Sequence, residues 1–217
     1  MDILKSISKV LLFVFAFAFV SQINAQTVAP KSGDDVATAF KESYMYEAKS
    51  QFADAINSLT KVYDSKIYEI NLRLGWLYYL NKQYQESVQY YQNAVSLMPY
   101  AIEPKLGLAF PLAASEDWTK VADTYISILS IDPNNTQVSY KLGLIYYYRP
   151  DYAEALKCFE KVVSLYPFDY NGNLMLAWAN YQLGKTHDAE VLFNKVLLIN
   201  PDDKSAFEGL SLLKSKK

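Results

Sequence analysis

The chain has 217 residues, 51% of them hydrophobic and 20% charged, with 21 basic against 23 acidic side chains. This apolar fraction excludes a disordered chain, and the near-neutral charge argues against a dedicated nucleic-acid binder, which needs a basic surplus. A single Cys and a single His exclude an internal disulfide and a multi-histidine metal site. The 19 tyrosines are the one unusual feature of the composition.

Residues 1–25 have the layout of a secretory signal peptide. Lys5 and Lys9 form a short basic region, residues 10–20 are an unbroken apolar run, and Ala25 is a small residue at the position before a cut. An uncleaved membrane anchor is the alternative, but a membrane-spanning helix takes about 20 apolar residues. We therefore predict a signal peptide over residues 1–25, an exported protein that is periplasmic or secreted, and no stable membrane span after cleavage.

Residues 26–35 are polar and contain Pro and Gly, which predicts a flexible linker between the signal peptide and the folded part. Asp34 or Asp35 is then available to cap the first helix.

The chain after the linker contains an internal repeat with a step of about 34 residues, which is the length of a helical repeat unit. Three series of positions keep this step: the prolines 99, 133, 167 and 201, the aromatic residues Tyr91, Tyr125, Phe159 and Phe193, and the small residues Gly75, Ala109, Gly143 and Ala177. An earlier copy around Ala55 has a shorter step and lacks the proline. We therefore predict five repeats, at residues 36–67, 68–101, 102–135, 136–169 and 170–203.

The repeated motif resembles that of the tetratricopeptide repeat family, which has Leu-Gly-x2-Tyr, then Ala-x3-Phe, then Pro. The fourth repeat carries all of it, as Leu142, Gly143, Tyr146, Ala155, Phe159 and Pro167. The early Trp of the family is absent, and Asn71, Lys105, Ser139 and Asn173 stand in its place. The resemblance implies an all-α, right-handed α-solenoid of about five helix-turn-helix repeats. Residues 204–217 are then a C-terminal capping helix with a basic tail, which covers the apolar face of the last repeat.

Pro111 is an irregularity inside the predicted first helix of the third repeat. A proline at such a position is expected to kink or shorten the helix. The sequence leaves open whether this is a neutral local feature or a bend that widens the groove.

No set of residues predicts catalysis. His187 is expected to be an exposed side chain in a turn, and Cys158 to be a small packing residue on a helix. The acidic pairs 34–35 and 202–203 stand at helix starts and do not face each other. We therefore predict a protein that is not an enzyme and has no cofactor and no metal site.

The family resemblance implies that the first helices of the repeats line a concave groove. Aromatic residues dominate this face, and Tyr and Trp are typical of binding hot spots. The predicted partner-binding residues are Trp76, Tyr79, Phe110, Tyr140, Tyr147, Tyr148, Trp178 and Tyr181. Burial against a neighbouring repeat is the alternative for each of them. Family members that grip the acidic tails of heat-shock chaperones have Lys and Asn along the groove; Leu72, Trp76, Leu106 and Phe110 stand here instead, which argues against that partner.

These features predict a scaffold that holds a protein or peptide segment in its groove within an exported envelope assembly. Two alternatives stay open at this stage. One is an accessory subunit of a larger secretion or enzyme complex that docks by its convex face. The other is a binder of small ligands or glycans, which would stack on Tyr or Trp rings. The sequence leaves the oligomeric state open.

Overall fold

The computed structural model of the protein describes residues 33–215, and within this range the chain forms eleven α-helices and no strand. The helices are α1 (Gly33–Glu47), α2 (Phe52–Thr60), α3 (Tyr68–Leu80), α4 (Tyr84–Leu97), α5 (Glu103–Ala114), α6 (Trp118–Ile131), α7 (Thr136–Tyr148), α8 (Tyr152–Leu165), α9 (Tyr170–Gln182), α10 (Thr186–Ile199) and α11 (Lys204–Ser215). Each helix packs against the next one in the chain, which is the arrangement of a helical solenoid. The predicted all-α solenoid is confirmed.

The predicted signal peptide at residues 1–25 lies outside the described residues, as do residues 26–32 and 216–217. The predicted linker is three residues too long, because α1 begins at Gly33 rather than at residue 36. Asp34 and Asp35 lie in the first turn of α1, where the helix dipole favours negative charge and supports the earlier start. None of the helices within residues 33–215 is long and apolar enough to cross a membrane.

Buried aromatic rings on the second helices hold neighbouring helices together. A Cβ atom added to Gly75 would lie 2.9 Å from the ring of Tyr91, and one added to Gly107 would lie 2.2 Å from the same ring. Tyr91 therefore touches the first helix of its own repeat and that of the next, both at distances that only glycine permits. Gly143 is equally close to the ring of Phe159, at 2.6 Å. The small residues of the repeat thus allow the close helix packing that their spacing predicts.

Polar side chains that replace the family's early Trp close the turns between repeats. All four are nearly or fully buried, and three of them donate a hydrogen bond to the backbone carbonyl six residues earlier. The pairs are Asn71 with Ser65 at 3.1 Å, Lys105 with Pro99 at 2.6 Å, and Asn173 with Pro167 at 3.1 Å. Since a buried carbonyl without a partner is costly, these bonds fix how each repeat enters the next.

The helix α5 continues through Pro111 and ends at Ala114, so the proline does not shorten it. A proline removes only its own backbone N–H donor, and the last turn is still closed by a bond from Ser115 N to the Pro111 carbonyl at 3.0 Å. Pro104 lies in the first turn of the same helix, where the missing donor has no intrahelical partner anyway.

The turn inside each repeat contains one residue with a positive φ angle. These residues are Ser50, Lys82, Glu116, Pro150 and Gly184. Only the last repeat uses glycine, which adopts this left-handed region without steric cost. Pro150 has φ 26°, although the pyrrolidine ring of an unstrained proline holds φ at about −65°. The turn between α7 and α8 therefore stores backbone strain.

We expect the substitution Pro150→Gly to raise the free energy of unfolding by about 1 kcal/mol, measured by denaturant unfolding. Relief of the left-handed conformation gains about 1–2 kcal/mol, and the greater freedom of glycine in the unfolded chain returns part of it. Glu116→Gly, at the same turn of the preceding repeat, is the matched control and should stabilise less because no ring constrains Glu116. A Pro150→Gly protein that is less stable than the wild type would contradict strain at this turn.

Candidate binding groove

The first helices of the first three repeats, α1, α3 and α5, enclose an open cavity of about 650 Å³. This volume lies within the range of typical ligand clefts. Its apolar lining includes side chains from all three helices and the ring of Tyr91 from α4; the residues from the first helices are Phe40, Tyr44, Leu72, Trp76, Leu106 and Phe110. From here on, the groove means this cavity alone, and not the whole face of first helices that the sequence predicts.

A buried charged network forms the floor of the groove and joins α1 to α3. The side chain of Arg73 is only 8% exposed, and its guanidinium lies 2.5 Å from the carboxylate of Glu47. Arg73 Nε donates to Ser43 Oγ at 3.2 Å, and the guanidinium lies 3.8 Å from the ring centroid of Tyr44. The other oxygen of Glu47 accepts a hydrogen bond from Trp76 Nε1 at 2.7 Å. Glu47 therefore neutralises the arginine and orients the tryptophan.

Two aromatic rings that line the groove, Trp76 and Phe110, pack against a third, Tyr79, which does not line it. The ring centroid of Tyr79 lies 5.6 Å from that of Trp76 and 5.6 Å from that of Phe110, and Trp76 and Phe110 are 6.3 Å apart. Trp76 and Tyr79 are half-buried, whereas Phe110 is 47% exposed. The predicted contact residue Phe110 is thus presented to a ligand, and the other two support it.

Two carboxylates give the groove an unbalanced negative charge. Glu69 and Glu103 are exposed, line the groove and occupy the same place in successive repeats. Tyr68 Oη donates to Glu103 at 3.4 Å, but none of the ion pairs within residues 33–215 involves Glu69 or Glu103. Since the charge of Arg73 is already neutralised, the rim favours a cationic group. Sequence reasoning missed this pair, although the two glutamates are separated by one step of the repeat, which was a usable signal.

The predicted residues of the fourth repeat lie outside the groove. The half-buried Tyr140 packs against Phe159 with ring centroids 5.8 Å apart, and burial raises the pKa of its hydroxyl. Tyr147 packs between Tyr148, at 5.7 Å, and Tyr152, at 5.4 Å, and burial raises its pKa as well. Tyr148 is 77% exposed. Of these three side chains, Tyr148 offers the most accessible surface to a partner.

The predicted residues of the fifth repeat make mainly internal contacts. The ring centroid of Trp178 lies 5.0 Å from that of the buried Phe193 and 5.6 Å from that of Tyr181. Trp178 Nε1 donates to Ser205 Oγ of α11 at 2.9 Å. Trp178 therefore fastens the capping helix to the last repeat, and its role as a partner contact stays a prediction.

The two side chains with potential for chemistry lie apart from the groove. His187 is exposed at the start of α10, and Cys158 is half-buried in α8. No group of three or more His, Cys, Asp and Glu residues within 33–215 is arranged to hold a metal ion.

We expect Cys158 to react with a disulfide reagent about 250-fold more slowly in the folded protein than in the unfolded chain at pH 8. Burial raises the pKa of the thiol to about 11, so about one thiol in a thousand is ionised at this pH, against about a quarter of ordinary thiols. The rate in the folded protein should rise roughly ten-fold per pH unit up to pH 10. A rate that levels off below pH 9 would show an unshifted thiol.

Comparisons with known proteins agree with this architecture. The tetratricopeptide repeat family matches residues 68–101 and, separately, residues 150–212. No curated protein sequence matches the chain significantly.

Among solved structures, a MamA protein is similar with a TM-score of 0.68 and 20% identity, over 78% of this chain and 94% of that chain. A tetratricopeptide repeat protein from Parabacteroides merdae is similar with a TM-score of 0.70 and 21% identity, over 84% of this chain and 73% of that chain. MamA from Desulfovibrio magneticus gives a TM-score of 0.66 and 16% identity, over 80% and 99% of the two chains. At these identities the likeness establishes the fold. The matched residues and the helix pairs show that the chain contains tetratricopeptide repeats and has the fold of a tetratricopeptide repeat solenoid.

Proposed function

We propose that this protein is a non-enzymatic scaffold whose groove holds a segment of a partner protein. The observation that carries the proposal is an apolar cavity with two carboxylates that have no cation partner within the described residues. The proposed segment places an apolar side chain against Phe110 and a Lys or Arg between Glu69 and Glu103. Tetratricopeptide repeats are protein-interaction modules, which supports a protein as the ligand.

Each half of this segment matches one feature of the groove. Phe110 is a half-exposed ring supported by Trp76 and Tyr79, the arrangement of an anchoring hot spot surrounded by packed neighbours. A cation at the rim gains from two carboxylates and from the aromatic faces below them. The negative charge of the rim also disfavours an acidic tail as the ligand, because Glu69 and Glu103 would repel its carboxylates.

We also propose that the protein acts outside the cytoplasm, in an envelope assembly. The support for this location is the sequence of residues 1–25, with its basic start, apolar run and small residue at the position before the cut.

Selection of displayed random peptides on the purified protein tests the groove. We expect the selected peptides to combine Lys or Arg with a bulky apolar residue. Trp76→Ala with Phe110→Ala should weaken their binding about ten-fold or more, because two anchor rings are lost. Glu69→Gln with Glu103→Gln should weaken binding several-fold and reduce its dependence on salt. Binding that survives both double variants would exclude the groove.

A second candidate, docking by the edge of the solenoid, is favoured by one observation. Two of the turns between repeats expose aromatic side chains, Tyr100 at 83%, Tyr166 at 59% and Phe168 at 62%, where the turns at Pro133 and Pro201 have polar neighbours. Tyr100→Ala therefore serves as the matched comparison for the groove variants. If Tyr100→Ala abolishes capture of a partner and the groove variants do not, the edge is the docking surface.

A further inference from the structure

A second pocket of about 550 Å³ lies between α6 and α7, away from the groove. All of its lining residues belong to α6, α7 or Arg149, which follows α7. The residues that the argument uses are the aromatic walls Trp118 and Tyr148, the apolar floor Leu144 and Ile145, and the cations Lys141 and Arg149. We call it the basic pocket.

The pocket is lined by two helices only. No residue of α5, the first helix of the same repeat as α6, lines it. The last turn of α5 has the small residues Ala113 and Ala114, whereas the corresponding residues one repeat later are Tyr147 and Tyr148.

The charge of the basic pocket is opposite to that of the groove. No carboxylate lines it, and none of the ion pairs within residues 33–215 involves Lys141 or Arg149. Arg149 donates to the neutral Thr119 Oγ1 at 3.1 Å. The acidic residue that interacts with Arg149 is Asp117, and it is already paired with Lys120 at 2.6 Å. Hydrogen bonds from Lys120 and, to a smaller extent, the charge of Arg149 lower the pKa of Asp117. Both cations of the pocket are thus available to an anion.

The exposure of the walls decides what kind of ligand fits. Tyr148 is 77% exposed and Trp118 is 44% exposed, so the pocket is open along one side. Sites for small molecules enclose most of the ligand surface, which this pocket does not do. It suits one or two side chains of a longer chain whose backbone runs outside.

We infer that the basic pocket binds an acidic segment of a protein, with a bulky apolar side chain between Trp118 and Tyr148 and a neighbouring Asp or Glu at Lys141 and Arg149. This site does not depend on the function proposed for the groove, because its lining residues and its charge are different. A basic segment that fits the groove is repelled by Lys141 and Arg149.

Three labelled twelve-residue peptides test the inference by fluorescence anisotropy on the full chain. Each has Phe and Leu at its centre, flanked by Glu, Gln or Lys alone. We expect the Glu peptide to bind more tightly than the Gln peptide, and we expect any binding of the Lys peptide to take place in the groove and to be unaffected by changes at Lys141 and Arg149. Lys141→Glu with Arg149→Glu should weaken its binding about ten-fold or more. Lys49→Glu with Lys204→Glu changes the net charge equally at two exposed sites outside both pockets, and should leave binding within about two-fold of the wild type.

Two further variants separate the two pockets. Tyr148→Ala changes a largely exposed side chain, so it should weaken the Glu peptide without unfolding the protein, whereas Phe110→Ala should have no effect on that peptide. Equal binding of the Glu and Gln peptides, or insensitivity of the Glu peptide to the Lys141 and Arg149 variant, would overturn the inference. Loss of binding in Phe110→Ala with none in Tyr148→Ala would place the acidic peptide in the groove and also overturn it.

Discussion

Deletion of residues 204–217 is expected to lower the free energy of unfolding by about 4 kcal/mol or more and to make the protein aggregate. The helix α11 covers the outer face of α10, where a Cβ atom added to Gly209 would lie 2.3 Å from the ring of Phe193. Phe193 is 0% exposed and Leu213 3% exposed. Burial of one such side chain is worth about 1.5–3 kcal/mol, so loss of both contacts removes a large part of a typical domain stability.

Denaturant unfolding and light scattering at several protein concentrations measure this effect. Removal of residues 216–217 alone is the control and should change neither quantity, because it leaves all of α11 in place. An unchanged unfolding midpoint after deletion of the whole helix would show that the last repeat does not need its cap.

The substitution Glu47→Ala is expected to cost about 3 kcal/mol of stability. It leaves the guanidinium of Arg73, only 8% exposed, without its carboxylate, and a buried charge that loses its partner costs about 3–5 kcal/mol. The lower end applies here because the Glu47 side chain is 24% exposed. Trp76 Nε1 loses its acceptor as well, so tryptophan fluorescence should change along with stability.

Two further substitutions show whether the loss comes from this ion pair. Glu42→Ala, on the same helix, removes a carboxylate that makes no ion pair within residues 33–215 and should cost under about 0.5 kcal/mol. Glu47→Gln keeps an acceptor for Trp76 but not the charge, so its stability should fall between the other two. Equal stabilities of Glu47→Ala and Glu42→Ala would contradict the role of the network.

The helix pairs and their packing followed from the sequence because they depend on local periodicity. Tyr91 and Phe159 recur at the step of the repeat, opposite glycines that recur at the same step. Such a pattern needs no knowledge of contacts between distant parts of the chain. The predicted end of the linker was wrong by three residues, because Asp34 and Asp35 are suited both to capping a helix and to its first turn, and the structure places them in the first turn.

The floor of the groove was not predictable in the same way. Glu47 lies in the first repeat and Arg73 in the second. The step between these two repeats is shorter than between the later ones, so the 34-residue period does not predict that the two side chains form an ion pair. The basic pocket was not predicted either, because its lining residues on α6 and α7 are brought together by the packing of the two helices and do not form a motif in the sequence.

Site-specific photocrosslinking tests the groove as the docking surface most directly. Phe110 in the groove and Ile126 on the second helix of the same repeat are 47% and 46% exposed, so the photoreactive p-benzoylphenylalanine is equally accessible at either position. Irradiation of cells that carry each variant is expected to give a crosslinked partner from position 110 and none from position 126. Crosslinks from position 126 alone would contradict the account, because they would place the partner on the second helices, outside the groove.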